Sequence, residues 1–222
     1  MTWVSYGSRD DLFAGLAETV TRELENALAE RANVTLAVPG GTTPGPMFDI
    51  LAQQDFAWSQ VTVLLSDERW VPQDHERSNA ALLYNRLFVA NGASARFLGF
   101  FEEGDIALQI AQKAKQIEAH LPLDVLVLGM GADMHTASLF PGAPELSKAL
   151  AKDSPPLVAL QPADQPELRV SLSGSVLAGA RSKHLLITGA EKKAAFEAAQ
   201  ERSVQQAPIK VAMDGLTVHW AE

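Results

Sequence analysis

Asp133 and His135 are the two side chains in this sequence best placed to do chemistry together. They stand two residues apart in Gly129-Met130-Gly131-Ala132-Asp133-Met134-His135, and Thr136, Ala137 and Ser138 follow. A histidine titrates near neutrality, so it can take a proton from water and return one to a leaving alkoxide. A carboxylate this close can orient the ring or raise its basicity. Just upstream, Val125-Leu126-Val127-Leu128 has the length and β-branched content of a buried strand. Ligands bind at the carboxyl ends of strands in open α/β sheets, so a titratable pair delivered there by a glycine-flanked turn is a candidate active site. His75, His120, His184 and His219 lack such a setting and read as surface or satisfied core residues.

Other strand ends carry polar groups. Gly40, Gly41, Thr42 and Thr43 follow an apolar run at 34–38 and precede Pro44. Glycines let the backbone approach a ligand, threonine hydroxyls can donate, and the free N–H groups of a helix start favour an anion. An ordinary strand-to-helix turn uses the same residue types. The spacing from Gly40 to Gly45 is that of a P-loop, but Pro46-Met47 replaces the required Lys-Ser/Thr. A second apolar run, 61–65, delivers Ser66-Asp67-Glu68-Arg69, with Ser78-Asn79 shortly after. Acids and an arginine this close can simply pair with one another. An arginine fork also suits a phosphate or a developing oxyanion. Arg169 and Lys192, taken singly, read as a strand end and a solvated helix face.

Several chemistries find no support. There is no His-x-x-x-His pair and no cysteine, and a hydrolytic zinc typically takes three protein ligands. No Gly-x-Ser-x-Gly elbow occurs. Gly129-Met130-Gly131 could open a dinucleotide fingerprint, but methionine stands at 134 where its third glycine belongs.

The elements that must position these residues alternate. A helix is expected over 8–32, with Ser8 as N-cap and Leu12, Leu16, Val20, Leu24 and Leu28 on one face. Thr43 suits an N-cap and Pro44 the first position of a second helix, with Met47, Phe48 and Leu51 as its apolar face. Further helices are expected over 78–88, 105–120 and 191–201, and further strands over 168–172 and 184–188. Residues 154–156 and 161–166 read as loops. At the end, 209–213 and 216–220 flank Asp214-Gly215, a two-residue hairpin signal. The expected fold class is α/β: a Rossmann-like, largely parallel sheet with helices on both faces and a C-terminal β-hairpin. No linker divides the chain, so residues 1–222 read as a single domain.

Composition agrees with a globular chain of this size: 222 residues, 47% hydrophobic and 20% charged. No run approaches the roughly 18 apolar residues of a membrane span, and no signal peptide is legible. The absence of cysteine excludes disulfides and thiol chemistry and makes a cytoplasmic protein the simplest reading. A net charge of −9 argues against nucleic acid but not against a small anion, which a few local donors can hold. The four tryptophans could be core or interface, so monomer and homodimer both stay open.

These motifs, in order, resemble the glucosamine-6-phosphate isomerase/6-phosphogluconolactonase family. The likeness rests on Gly40-Gly41-Thr42-Thr43-Pro44, Asp67-Glu68-Arg69-Trp70-Val71-Pro72 with Ser78-Asn79, the segment from Asp133 to Gly142, Arg169-Val170-Ser171-Leu172-Ser173, and Gly189 through Lys192. It is most specific in His135-Thr136-Ala137-Ser138-Leu139-Phe140-Pro141-Gly142. There the lactonase version fits, whereas the isomerase version continues His-Ile-Ala-Phe-Asn-Glu and this chain has no carboxylate before Glu145. The resemblance implies hydrolysis of 6-phospho-D-glucono-1,5-lactone to 6-phospho-D-gluconate in the oxidative pentose phosphate pathway, without metal or organic cofactor. It implies His135 as general base with Asp133, and Asp67 and Arg69 facing the sugar. Asn79 would support the loop, with Gly40, Gly41, Thr42, Thr43, Arg169 and Lys192 around the phosphate. Whether Arg69 or Arg169 meets the phosphate stays open. One departure is Met134, where the family has glycine: glycine serves a φ > 0 conformation that methionine resists. The alternatives are a glucosamine-6-phosphate isomerase/deaminase and a non-catalytic sugar-phosphate sensor.

Overall fold

Three strands at the centre of the molecule are apolar on both faces and buried throughout. A computed structural model describes residues 1–163 and 165–222 of the chain. In chain order its regular elements are β1 (Thr2–Ser5), α1 (Arg9–Glu30), β2 (Val34–Val38), α2 (Gly45–Leu51), β3 (Val61–Leu65), β4 (Asp67–Arg69), α3 (Asn79–Arg86), β5 (Arg96–Leu98) and α4 (Ile106–Glu118). They continue with β6 (Val125–Leu128), α5 (Leu146–Ala149), β7 (Leu157–Leu160), β8 (Arg169–Leu172), α6 (Gly174–Gly179), β9 (Ser182–Thr188), α7 (Gly189–Ala199) and β10 (Leu216–Ala221). The central strands are β2, β3 and β6, whose continuous apolar runs require cover on both sides, as parallel strands do.

The larger sheet is parallel, in the order β1-β10-β9-β6-β2-β3-β5. From β2 the chain steps outward through β3 to β5, then returns to the other side of β2 as β6. That reversal is a topological switch point, and the loops leaving β2 and β6 flank it. A smaller antiparallel sheet, β4-β8-β7, stands beside these strand ends. Ser66 joins the two sheets: its N–H donates to Val38 O at 2.8 Å, and its carbonyl accepts from Leu172 N at 2.9 Å.

Helix α1 buries the expected Leu12, Leu16, Val20 and Leu24, and Ser8 caps it by accepting from Asp11 N. Ser78 and Asp105 cap α3 and α4 in the same way. Three expectations change. Helix α2 begins after Pro44, not at it, and among the described residues no side chain caps it. Thr43 is therefore left exposed at the loop surface. The C-terminal hairpin is absent: residues 208–212 form a 3-10 helix, and β10 lies parallel between β9 and β1. Asp214-Gly215 signalled a left-handed turn, which Gly215 makes at φ +69, but a turn signal does not name the strand's partner, and here β9 and β1 supply it. Finally, 168–172 enters the antiparallel sheet. Asp164, in the expected 161–166 loop, lies outside the described residues. Among the described residues no helix is long and apolar enough to cross a membrane.

Away from the strand ends, α1, β9 and β10 enclose a polar chain. Tyr6 Oη meets His219 Nδ1 at 2.8 Å, His219 Nε2 meets His184 Nδ1 at 3.0 Å, and His184 Nε2 meets Glu23 Oε2 at 2.8 Å. With both imidazoles neutral, each link has one donor and one acceptor. Burial, then the neighbouring His184, pulls the His219 pKa from 6.5 down to about 4. An unfolded chain binds this proton near pH 6.5 and the folded chain does not, so this stability is present above pH 6.5 and is lost as pH falls toward 4. At about 1.4 kcal/mol per pKa unit, the term reaches at most about 3 kcal/mol. Denaturant midpoints measured from pH 7 to 4 are expected to fall less steeply in H219Q than in the parent chain; equal slopes would remove His219 as the cause.

Candidate active site

Four parallel strand ends open onto one cleft of about 330 Å³. The loop after β2 turns at Gly41, whose φ of +84 suits glycine. Gly40 is packed so tightly on Asn79 that a β-carbon there would lie 2.0 Å from the Asn79 carboxamide carbon. Thr42 and Thr43 stand exposed on the same rim.

The second wall is built by Glu68. Its buried carboxylate accepts from the backbone N–H groups of Arg69, Asn79 and Ala80 at 2.7–2.8 Å, and from the Ser78 hydroxyl at 3.2 Å. Burial pushes this carboxyl above its ordinary range, and the three backbone donors only partly offset that. The expected pairing of Glu68 with the Arg69 side chain does not occur; the acid ties β4 to the start of α3 instead. Asn79 then donates to Asp67 O at 2.9 Å and accepts from Arg69 Nη1 at 3.0 Å, so it supports both the loop and the arginine. Asp67 accepts from Ser138 Oγ at 2.5 Å and Ser66 Oγ at 3.2 Å.

Antiparallel pairing sets Arg69 directly opposite Arg169. Arg69 also donates to Arg77 O at 2.7 Å, and Arg169 donates to Gln165 Oε1. The Nε of each arginine is buried without a hydrogen-bond partner among the described residues. Burial, then the adjacent Arg69 charge, pulls the Arg169 guanidinium below its usual pKa. Across the cleft, Lys192 Nζ donates to Met130 O at 2.5 Å. Facing cations with open donors call for an anion between them.

The loop after β6 presents His135. His135 Nδ1 lies 2.5 Å from Asp133 Oδ1, which also accepts from His135 N at 3.2 Å. Partial burial pushes the Asp133 carboxyl up, but the hydrogen bond and charge of His135 outweigh this and hold it below its ordinary value. A proton shared at Nδ1 leaves Nε2 as the acceptor. Phe140 stacks on the imidazole at 4.2 Å, and a β-carbon on Gly131 would come within 2.2 Å of Nδ1. Met134 takes φ +68, the conformation that glycine would take freely. Its carbonyl is held by Ile209 N at 3.2 Å and its N–H by Gly131 O at 3.0 Å.

All the residues singled out in the sequence line this cleft except Asp133, which stands behind His135. Sequence reasoning missed Gln165, Ser138 and Phe140 as parts of the site. The last two lie in the His135–Gly142 segment, where their residue types gave a signal; Gln165 sits in a proline-flanked loop and gave none. Among the described residues no group of three or more His, Asp or Glu is arranged to hold a metal ion.

Comparison with known proteins identifies the family. The family model described as glucosamine-6-phosphate isomerases/6-phosphogluconolactonase matches residues 7–220. A 6-phosphogluconolactonase of Pseudomonas aeruginosa is 37% identical over 97% of this chain and 92% of its own length. One from Caulobacter vibrioides is 38% identical over 98% and 96%. The crystal structure of a 6-phosphogluconolactonase from Shewanella baltica superposes with a TM-score of 0.94 at 31% identity, over 100% of this chain and 98% of that one. A monomeric glucosamine-6-phosphate deaminase shares the fold alone, at 15% identity and a TM-score of 0.83 over 100% of this chain and 98% of its own. On the match to residues 7–220 and on these relatives, the chain belongs to the glucosamine-6-phosphate isomerase/6-phosphogluconolactonase family.

Proposed function

We propose that this chain is a 6-phosphogluconolactonase, hydrolysing 6-phospho-D-glucono-1,5-lactone to 6-phospho-D-gluconate in the oxidative pentose phosphate pathway. The observation that carries the reading is one cleft holding both an oriented imidazole and two arginines with open donors. His135 Nε2 takes a proton from water, and the hydroxide adds to the lactone carbonyl. The resulting oxyanion needs hydrogen-bond donors, a term often worth several kcal/mol, and Arg69 is placed to supply them. Collapse breaks the bond between the carbonyl carbon and the ring oxygen, and His135 returns its proton to that oxygen. Asp133 stabilises the imidazolium between the two transfers, as the low pKa of its carboxyl favours. Gly40, Gly41, Thr42, Thr43, Arg169 and Lys192 hold the 6-phosphate. The reading takes residues 1–222 as one domain, working in the cytoplasm as monomer or homodimer without metal or organic cofactor.

The isomerase/deaminase reading requires, besides Asp67, a further carboxylate after His135 for ring opening. Glu145, the first acid after His135, accepts from Gln161 N at 3.1 Å and does not line the cleft. A non-catalytic sensor would have no need of the Asp133–His135 couple.

The first test is the hydrolysis rate of freshly generated lactone against its spontaneous opening. A rate proportional to protein concentration is expected; folded protein without acceleration would overturn the assignment. Replacement of His135 by alanine is expected to lower kcat by about 10²–10⁴-fold with the melting temperature nearly unchanged. Near-native turnover would remove His135 from the mechanism. In G131A, the added β-carbon must push His135 and Asp133 apart. We expect kcat to fall at least about tenfold with KM little changed, and an unchanged kcat would show that their contact is dispensable.

A further inference from the structure

Three arginines stand in or beside the cleft, and their partners differ in charge. Arg77 Nε is paired with Glu167 Oε1 at 2.9 Å. Arg69 and Arg169 are held only by neutral acceptors: the Arg77 carbonyl and the Asn79 carboxamide for the first, the Gln165 carboxamide for the second. Among the described residues neither forms an ion pair with a carboxylate. A carboxylate fixes a guanidinium and cancels its charge, whereas a carbonyl oxygen fixes it and cancels nothing.

Gln165 belongs to the cleft wall although no motif marks it. Its backbone is tied down on both sides, N–H to Pro162 O at 3.2 Å and carbonyl to Gln161 Nε2 at 3.1 Å. Its Oε1 accepts from Arg169, and its Nε2 carries two further donors. Arg169 itself is only 5% exposed and keeps an unpartnered Nε. The arrangement holds a buried cation in place without a direct ion pair; Asp67 and Glu167 act on it only through space, and its unpartnered Nε stays open to a ligand.

We propose that Gln165 is a positioning residue for anion binding, orienting Arg169 toward the substrate phosphate while leaving its charge uncancelled. The proposal rests on the phosphate role given to Arg169 above. Glutamate at this position would bond Arg169 at least as firmly, so a purely structural role predicts that Q165E behaves as the parent. A role through charge predicts a loss of anion affinity.

The experiment measures kcat and KM for the lactone, and calorimetric affinity for inorganic phosphate, in the parent, Q165A, Q165E, R169M and Q165A/R169M chains. Q165A is expected to raise KM about fivefold with kcat within about twofold. Q165E is expected to raise KM by about tenfold or more, with phosphate affinity following the same ranking. In the R169M background Q165A should add nothing. Native KM and phosphate affinity in Q165E would overturn the proposal, as would equal effects of Q165A in both backgrounds. A parent chain that binds phosphate but opens no lactone would sink the proposed reaction, and the phosphate ranking would still decide the role of Gln165. A parent chain that binds no phosphate would overturn the proposal about Gln165.

Discussion

Ser66 is the joint on which the site depends. Its amide extends the hydrogen bonding of the large sheet, and its carbonyl begins that of the small one. A buried residue with both backbone groups committed in this way cannot shift without breaking one sheet or the other. The strand that follows therefore leaves the large sheet at a fixed angle and lies against β8. Glu68 then fixes the other side of that strand. Its carboxylate replaces the missing intrahelical partners at the start of α3, a favourable place for negative charge. One serine and one buried acid thus determine where Asp67, Arg69 and Asn79 stand.

Division of labour between the sheets follows from their chemistry. The central parallel strands β2, β3 and β6 are almost wholly apolar and contribute rigidity, and the polar groups of the cleft stand mainly on the loops beyond the strand ends. Antiparallel pairing in the small sheet does what a parallel sheet cannot do here, setting two arginines side by side at one register position. Like charges at that spacing repel, and burial raises the cost further. Such an arrangement is stable enough to fold when neutral hydrogen-bond acceptors and a surrounding apolar frame hold it. It becomes favourable when an anion arrives.

Much of this was legible in the sequence because it has local causes. Runs such as VTLAV, VTVLL and VLVL can only be buried strands, and their bounds match β2, β3 and β6. The cap at Ser8 acts within three residues of itself and was read correctly, whereas the cap expected of Thr43 does not form. His135 stood out by its setting after a buried strand, whereas the glycine-threonine turn, Arg69, Arg169 and Lys192 each had a plain structural reading and joined the candidate site through the family resemblance. What stayed hidden was non-local. β1, β5 and β7 are short and lack a pattern of their own, and partners distant in sequence make them strands. The hairpin failed for the same reason, since the turn at Gly215 is local but the neighbours of β10 are not. Glu68 looked like half of an ion pair because nothing in its neighbourhood shows that a helix start, ten residues later, needs it. Met134 was legible in reverse. The conformation expected of glycine is present with methionine in it, at a cost on the order of 1 kcal/mol, and tethers from Gly131 and Ile209 hold it there.

The position of β10 governs when this molecule can exist at all. Among the described residues β1 hydrogen-bonds in its sheet only to β10, some two hundred residues further along, and the loop that carries His135 is tethered to Ile209. During synthesis the first strand emerges with no edge to join, and it waits while some two hundred residues are added. The loop that carries His135 likewise takes its tether from Ile209, more than seventy residues further along. Contacts of such long sequence separation make folding slow and late. Without β10, both β1 and β9 would present an unpaired sheet edge. The first strand and the His135 loop thus draw on one late segment of sequence, and the two ends of the site's frame are made far apart in time.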